Sequence, residues 1–247
     1  MFANLKFSRP LKSSFVNYTW LLFDADNTLF DFSAAEAASL RDCIEQTDIG
    51  WSEEVLGIYR EINHEAWVAY ENGQLDKSQI RHIRFERLLD RFRCAHDVIA
   101  LSDRYRMGLA ASRHLLDGAL EMLQTVAPHY KLGLITNGLT EVQYPRLKAT
   151  GIERFFPDVV VISDEIGVAK PHQAFFDHAF GLMGRPDPEN VLVIGDNPVA
   201  DIGGALNYGC HACWLKTPGV MKKPPSKPQY EINNISEVLE ILGIQGQ

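Results

Sequence analysis

The sequence predicts an α/β fold in which a parallel β-sheet is flanked by helices and one all-helical segment is inserted into the core. Short, continuous apolar runs recur along the 247 residues, and such runs are typical of parallel strands buried on both faces. Other stretches carry apolar residues at helical spacing. The third observation is the 112 positions between Asp24 and Thr136, which exceed what one helix and a return strand require.

The apolar runs define the predicted sheet. Six strands are expected, at residues 20–24, 131–136, 158–163, 191–195, 211–215 and 230–232. A final helix is predicted at residues 236–242, where Asn234, Ser236 and Glu237 provide helix-start chemistry. Because ligands of open α/β sheets bind outside the carboxyl ends of the strands, residues that follow several strands are expected to converge there.

The spacing of the motifs also locates the insertion. Only 34 positions separate Thr136 from Lys170, enough for one helix and one strand, so the extra residues follow the first strand. We assign residues 33–112 to a helical cap domain, and residues 19–32 and 113–247 to the core domain. Three helices are predicted within the cap, at residues 34–44, 55–70 and 78–92, and no strand pattern interrupts them.

Composition excludes several classes of protein. Residues 1–18 lack the continuous apolar segment of a secretory signal, so we expect a poorly ordered N-terminal extension. No run approaches the roughly 18 apolar residues that a membrane span needs. A net charge of −8 argues against a nucleic-acid-binding surface, and four cysteines are too few for a disulfide scaffold. A cytoplasmic location is the default expectation, and the choice between monomer and homodimer stays open.

The sequence contains four polar motifs, and three of them follow or end a predicted strand. The first is D-x-D-x-T at residues 24–28, and the second is Leu-Ile-Thr-Asn-Gly at residues 134–138. The third is Lys170, which precedes a proline, and the fourth is G-D-x-x-x-x-D at residues 195–201. Each motif is a weak signal alone. Their joint occurrence in this order, after parallel strands, predicts one shared pocket.

This ordered set resembles the haloacid dehalogenase superfamily, whose phosphatases carry all four motifs, and the resemblance extends over residues 19–242. It implies a Rossmann-like core with a parallel sheet and an inserted helical cap of the C1 type. The segments 23–26, 67–73, 167–171 and 213–215 further resemble bacterial YjjG-type pyrimidine 5′-nucleotidases. The resemblance therefore implies a phosphomonoester hydrolase with a small-molecule substrate, and neither a nucleic-acid polymer nor a membrane as partner.

The resemblance also implies a role for each matching residue. Asp24 is expected to attack phosphorus and form an aspartyl-phosphate, and Asp26 to protonate the leaving oxygen and then activate water. Mg²⁺ is the expected cofactor, bound by Asp24, Asp196 and the main-chain carbonyl of Asp26. Asp201 is expected to orient waters or the lysine behind these ligands. The expected phosphate-binding residues are Thr136, Asn137, Gly138 and Lys170.

The motifs specify a phosphomonoester but not its leaving group. A pyrimidine nucleoside 5′-monophosphate is the first expectation, and a sugar phosphate or phosphoglycolate is the alternative in the same superfamily. A 2-haloacid dehalogenase is disfavoured because its leaving group needs no proton from Asp26. A non-catalytic phospho-aspartate signalling receiver is disfavoured because its nucleophile follows a middle strand, whereas Asp24 follows the first.

Overall fold

The structure is a computed structural model that describes residues 17–217 and 223–244. Most of the predicted N-terminal extension therefore lies outside the described residues. Tyr18, assigned from the sequence to the end of that extension, is only 5% exposed and packs in the core. Its hydroxyl lies 2.7 Å from Nδ1 of His211 and donates a hydrogen bond to the hydroxyl of Tyr230 at 3.2 Å. The folded core thus includes Tyr18 as well as residue 19.

The predicted parallel sheet is confirmed. Its strands are β1 (Trp20–Phe23), β2 (Lys131–Thr136), β3 (Val160–Ile162), β4 (Val191–Gly195), β5 (His211–Leu215) and β6 (Tyr230–Ile232). They lie in the order β3-β2-β1-β4-β5-β6, and neighbouring strands are parallel. The third strand is shorter than predicted: it begins two residues later, at Val160, and ends at Ile162 because Ser163 already begins a helix.

The centre of the sheet fixes the position of the site. β1 lies between β2 and β4, and Phe23 pairs with Leu134 on one side and Ile194 on the other. The chain therefore builds the sheet first to one side of β1 and later to the other. Ligands of open α/β sheets bind at such a switch point, beyond the carboxyl ends of the strands. Asp24 and Asp196 directly follow β1 and β4 at this edge.

Helices cover both faces of the sheet, as its apolar pattern predicts. Leu21 and Phe23 belong to an apolar cluster on one face, whereas Trp20 and Leu22 belong to a second cluster on the other. Strands buried on both faces are expected to be apolar at every position, and the four residues of β1 are all buried.

Four helices form the cap that follows β1. They are α1 (Phe32–Ile44), α2 (Glu53–Glu71), α3 (Lys77–Phe92) and α4 (Val98–Ala111). Each begins after a residue whose side chain accepts backbone N–H hydrogen bonds, namely Asp31, Ser52, Asp76 and Asp97. The sequence pattern singled out the first three helices only. α4 was missed because Ile99 and Met107 are exposed apolar residues and obscure its amphipathic pattern.

The remaining helices belong to the α/β core. They are α5 (Ala119–Val126), α6 (Thr140–Thr150), α7 (Ser163–Ile166), α8 (Gln173–Leu182), α9 (Gly204–Tyr208) and α10 (Val238–Ile241). A 3₁₀ turn at Ile235–Glu237 leads into α10, at the position where the last helix was predicted. Asn234 and Glu237 form a capping box at this turn. Among the residues that the structure describes, no helix has the length and apolar character of a bilayer span.

The cap has its own apolar cluster and is attached to α6. The rings of Tyr59, Phe85 and Tyr105 lie 5.4 to 5.7 Å apart within that cluster. Leu139 and Val142, at the start of α6, join it from the core. The carboxylate Oε1 of Glu141 also pairs with Arg81 of α3 at 3.1 Å and with Arg106 of α4. α6 is consequently the main contact between the cap and the core. The domain boundaries at residues 33 and 112 stay a prediction.

Candidate active site

Lys170 lies at the centre of the candidate site. It is 1% exposed, and its Nζ donates hydrogen bonds to Oδ1 of Asp24 at 2.7 Å and Oδ1 of Asp201 at 2.6 Å. A third bond goes to the main-chain carbonyl of Ile135 at 2.8 Å. An ammonium group has three donors, so all three are used. The lysine is therefore fixed in place among carboxylates and is not a solvated loop residue.

The loop that carries Lys170 is held by Asn137. The Nδ2 of Asn137 donates to the carbonyl of Lys170 at 2.9 Å, and the backbone N–H of Lys170 donates to Oδ1 of Asn137 at 2.8 Å. The sequence predicts Asn137 as a phosphate-binding residue, and the structure shows that its side chain also fixes the lysine loop to the end of β2.

Asp201 holds Lys170 from the opposite side. It lies in a π-helical segment, Pro198–Gly203, that follows the acidic motif. Its Oδ2 accepts the backbone N–H of Asn197 at 2.9 Å, so both carboxylate oxygens have partners. A methyl group at Gly195 would lie closer than 3.0 Å to the Asp201 carboxylate, which explains the need for glycine there. Asp201 therefore contacts Lys170 directly, and its role in orienting waters or the lysine stays a prediction.

Carboxylate oxygens of Asp24, Asp196 and Asp201 lie within 4.8 Å of one another. Hard divalent cations such as Mg²⁺ prefer oxygen ligands of this kind, so the donor set fits the expected cofactor. Asp201 already binds Lys170 and a backbone N–H, whereas Asp24 and Asp196 directly follow the central strands. Asp24 and Asp196 are therefore the side chains best suited to bind the cation.

Burial perturbs the titration of this cluster. Burial raises the pKa of Asp24 to about 7, and the neighbouring Lys170 opposes that rise. Burial and the Asp24 charge also raise the pKa of Asp196 well above its usual range. Burial alone would lower the pKa of Lys170, but Asp201 and Asp24 outweigh this effect and raise it. The lysine therefore stays protonated while the carboxyls compete for protons.

We expect magnesium to raise the thermal unfolding midpoint more near pH 8 than near pH 5. A folded-state pKa above the unfolded value of about 3.9 means that the metal-free protein loses stability as pH rises towards 7. A bound cation offsets this loss, and protons displace it at low pH. The measurement is thermal unfolding in MgCl₂ or EDTA at both pH values.

Asp196→Asn should remove most of this magnesium effect, since it takes away a proposed ligand. The matched control is Asp158→Asn, because Asp158 is exposed and lies outside the cluster. An equal magnesium-induced shift at both pH values, or a shift unchanged by Asp196→Asn, would contradict the assignment of the cation site.

The predicted phosphate-binding residues lie between β2 and α6. Thr136 is 1% exposed, and its Oγ1 accepts the backbone N–H of Gly138 at 3.1 Å. A methyl group at Gly138 would lie closer than 3.0 Å to three atoms of the Gln143 side chain. Gly138 therefore leaves the room that the Gln143 side chain needs.

Asp26 has a different environment from Asp24. Among the described residues, its side chain does not belong to the cluster of three carboxylates formed by Asp24, Asp196 and Asp201. Arg146 Nη1 donates to its Oδ1 at 2.5 Å, and Gln143 Nε2 donates to its Oδ2 at 2.7 Å. Both partners come from the buried side of α6.

Sequence reasoning missed both Gln143 and Arg146. In the sequence they are a pair of polar residues three positions apart, a spacing that places both on one face of a helix. That helix directly follows the end of the strand that carries Thr136. Such a pair is also common on a solvated helix face, so the sequence alone gave no reason to select it. Only their burial in the structure distinguishes them.

Comparison with known proteins shows the family to which this chain belongs. Residues 18–209, more than three quarters of the chain, match the haloacid dehalogenase-like hydrolase family. The chain belongs to the haloacid dehalogenase-like hydrolases. The resemblance inferred from the four motifs is therefore confirmed, and so is the α/β core with a helical cap.

Several members of this family are similar to the chain over most of its length. It is 34% identical to the HAD-hydrolase YfnB of Bacillus subtilis, over 92% of this chain and 97% of YfnB. A crystal structure of YfnB bound to magnesium, which reveals interdomain movement, superposes with a TM-score of 0.85 at 33% identity, over 92% of this chain and 100% of that one.

Two further relatives are named as nucleotidases. The chain is 32% identical to pyrimidine 5′-nucleotidase YjjG of Escherichia coli, over 92% of this chain and 99% of YjjG. It is 30% identical to pyrimidine 5′-nucleotidase PynA of Streptococcus pneumoniae, over 91% of this chain and 95% of PynA.

A cleft of about 740 Å³ lies between the cap and the core of this family member. The turn between α2 and α3 forms one wall, and the loop on either side of Lys170 forms the other. Tyr70 and Leu75 line the first wall, and Val168 and His172 line the second. The cleft thus combines apolar and aromatic surface with polar groups, a few residues from the lysine of the site.

Proposed function

We propose that this protein is a Mg²⁺-dependent phosphomonoester hydrolase that acts on pyrimidine nucleoside 5′-monophosphates through an aspartyl-phosphate on Asp24. The strongest support is the contact between Lys170 Nζ and Asp24 Oδ1 at 2.7 Å, beside carboxylates suited to a hard cation. A carboxylate can approach a phosphate dianion only where positive charge screens both groups.

The first step transfers the phosphoryl group to the enzyme. An oxygen of Asp24 bonds to phosphorus as the bond to the leaving alkoxide breaks, and Asp26 gives that oxygen its proton. When bound, Mg²⁺ supplies charge neutralisation between the phosphate and the Asp24 carboxylate. Lys170 adds a fixed positive charge, and Thr136 and the N–H groups of Asn137 and Gly138 supply hydrogen-bond donors for the phosphoryl oxygens.

The second step releases phosphate. Asp26, now ionised, takes a proton from water as the water oxygen bonds to phosphorus, and the bond between phosphorus and Asp24 breaks. Asp24 regains its carboxylate, and one inorganic phosphate leaves for each alcohol released. Asp26 thus acts as acid and then as base, a role that requires it to reach both the leaving oxygen and the water.

The proposed substrate class rests on the two nucleotidase relatives and on the cleft. Tyr70 is half-buried at the end of α2, contacts Trp67 edge-to-face at 5.6 Å, and lines the cleft opposite His172. An aromatic ring at that position offers a surface on which a base can stack. Asn63, also on α2, is buried and bonds Glu36 and Arg84, so it has a structural role inside the cap.

We expect phosphate release to be fastest with UMP, dUMP or dTMP among a panel that includes purine nucleotides, sugar phosphates and phosphoglycolate. Tyr70→Leu should lower kcat/KM for the nucleotide about tenfold, since one base stack contributes about 1–3 kcal/mol. The same variant should leave hydrolysis of p-nitrophenyl phosphate nearly unchanged. The measurement is phosphate release with saturating MgCl₂.

The substrate preference separates the nucleotidase from the other phosphatases. A preference for phosphoglycolate or sugar phosphates would discard the nucleotidase assignment and leave the phosphatase standing. Tyr144→Leu is the matched control, because Tyr144 is an exposed tyrosine on α6 outside the cleft. If this control lowered nucleotide hydrolysis as much as Tyr70→Leu, the proposed stacking position would be wrong.

A further inference from the structure

Arg146 is a buried charge next to the proposed acid/base residue. Its side chain is fully buried, whereas the side chain of Asp26 is 28% exposed. Arg146 Nη1 lies 2.5 Å from Asp26 Oδ1, and the guanidinium stacks 4.0 Å from the centre of the Phe30 ring. Within the described chain, Asp26 is the one acid that pairs with it. The Nε and Nη2 atoms of Arg146 have no hydrogen-bond partner among the same residues.

A purely structural explanation accounts poorly for this arginine. Burial of a guanidinium with two unpaired donor atoms disfavours folding, and a buried ion pair is weak evidence of a stabilising role, because well-packed apolar residues in place of both partners are often as stable or more so. The arginine is present in spite of this cost, and its ionic contact is with an aspartate of the D-x-D motif. A task connected with Asp26 explains both observations.

Gln143 completes the contact from the same helix. It is 1% exposed, and its Nε2 binds the second oxygen of Asp26 at 2.7 Å. The ring of Phe30 packs against the Arg146 guanidinium. The carbonyl of Phe30 accepts the N–H of Asn27 at 2.8 Å and so closes the turn that carries Asp26. Both carboxylate oxygens are therefore held from the protein side, and each keeps a second lone pair.

We propose that Arg146 and Gln143 are positioning residues that hold the Asp26 carboxylate in the orientation needed for proton transfer to the leaving oxygen. This inference rests on the proposed function, in which Asp26 is the acid and base. A charged donor and an amide donor on separate oxygens fix the rotation of the carboxylate, which one bond alone would leave free.

The test compares two kinds of leaving group. An alkyl phosphate such as UMP or β-glycerol phosphate releases an alkoxide that needs a proton, whereas p-nitrophenyl phosphate releases a stable phenolate. Arg146→Met and Gln143→Leu should lower kcat/KM for the alkyl phosphate at least about tenfold, because a positioned acid contributes about 10²–10⁴-fold. The change for p-nitrophenyl phosphate should stay below about threefold, since kcat/KM reports the step that expels the leaving group.

A double-mutant cycle provides the second readout. In the Asp26→Asn background, Arg146→Met should cause little further loss with the alkyl phosphate, because both substitutions remove the same function. Arg146→Lys should restore part of the activity, since it keeps one charged donor. Arg154→Met is the matched control, because Arg154 stacks on Phe155 at 4.8 Å but does not contact Asp26.

The outcomes are distinguishable. Equal losses with both substrates, or additive losses in the cycle, would overturn the positioning role and leave the proposed phosphatase intact. If Arg146→Met fails to fold, Gln143→Leu decides the question, since it removes no buried charge; thermal unfolding monitors both variants. Failure of the proposed function itself would appear differently, as activity that survives Asp24→Asn.

Discussion

Asp24→Asn is expected to reduce turnover by about 10⁴-fold or more, the range seen when a catalytic nucleophile is removed. The amide is a poor nucleophile and cannot form the acyl phosphate. The substitution also removes one buried negative charge from a cluster in which burial already raises the pKa of Asp24 to about 7. The variant should therefore fold normally and show unchanged or higher thermal stability without magnesium.

Two measurements check this expectation. Phosphate release in saturating MgCl₂ gives the loss of turnover, and hydroxylamine trapping during turnover should capture an acyl phosphate in the native enzyme but not in the variant. Asp42→Asn is the matched control, since Asp42 is exposed and pairs with Arg104 in the cap. Magnesium-dependent activity near the native level in Asp24→Asn would refute the proposed nucleophile.

Lys170→Met is expected to impair both activity and stability. Loss of one partner from a buried ionic network costs about 3–5 kcal/mol, because the remaining charges stay buried without compensation. Asp24 and Asp201 would each lose a hydrogen bond shorter than 2.8 Å. Turnover should fall about 10²–10³-fold or more, as it does when one preorganised electrostatic donor is removed. Part of the lost stability should return in MgCl₂, since a cation can neutralise the same carboxylates.

Thermal unfolding with and without MgCl₂, together with phosphate release, measures both effects. Lys148→Met is the control, because Lys148 is an exposed lysine on α6. A Lys170→Met variant with native stability in EDTA would show that the ion pairs described around this lysine contribute little. Native turnover would remove the lysine from the mechanism.

The sequence was sufficient to place several candidate site residues at one edge of the sheet. Asp24, Thr136 and Asp196 were placed correctly at one sheet edge because apolar runs reveal parallel strands, and parallel strands share their carboxyl ends. The roles of these residues stay predictions. The buried position of Lys170 was not predictable, since its sequence neighbourhood is that of a loop, and burial arises from the distant carboxylates that surround it.

Features that depend on contacts between distant segments were missed for the same reason. Arg146 and Asp26 are 120 positions apart, and no local pattern connects them. The side-chain bonds of Asn137 to Lys170 span 33 positions. α4 escaped detection because exposed apolar residues weakened its periodicity. Helix and strand positions thus follow from local pattern, whereas the partners of buried polar groups follow from the tertiary fold.

The cluster around Lys170, formed with Asp24, Asp196 and Asp201, contains more acidic than basic groups. With all three carboxylates ionised, as cation binding favours, the single ammonium leaves two uncompensated negative charges. When Asp26 is ionised, Arg146 carries the opposing charge, so this pair does not add to the negative charge of the cluster. On the proposed assignment, an ion of charge two therefore brings the pocket to electroneutrality, so that an incoming phosphate dianion meets no net repulsion. A monovalent ion would leave one negative charge unopposed beside the phosphate, so on the same assignment we expect the cluster to favour a divalent ion on charge alone, before coordination geometry is considered.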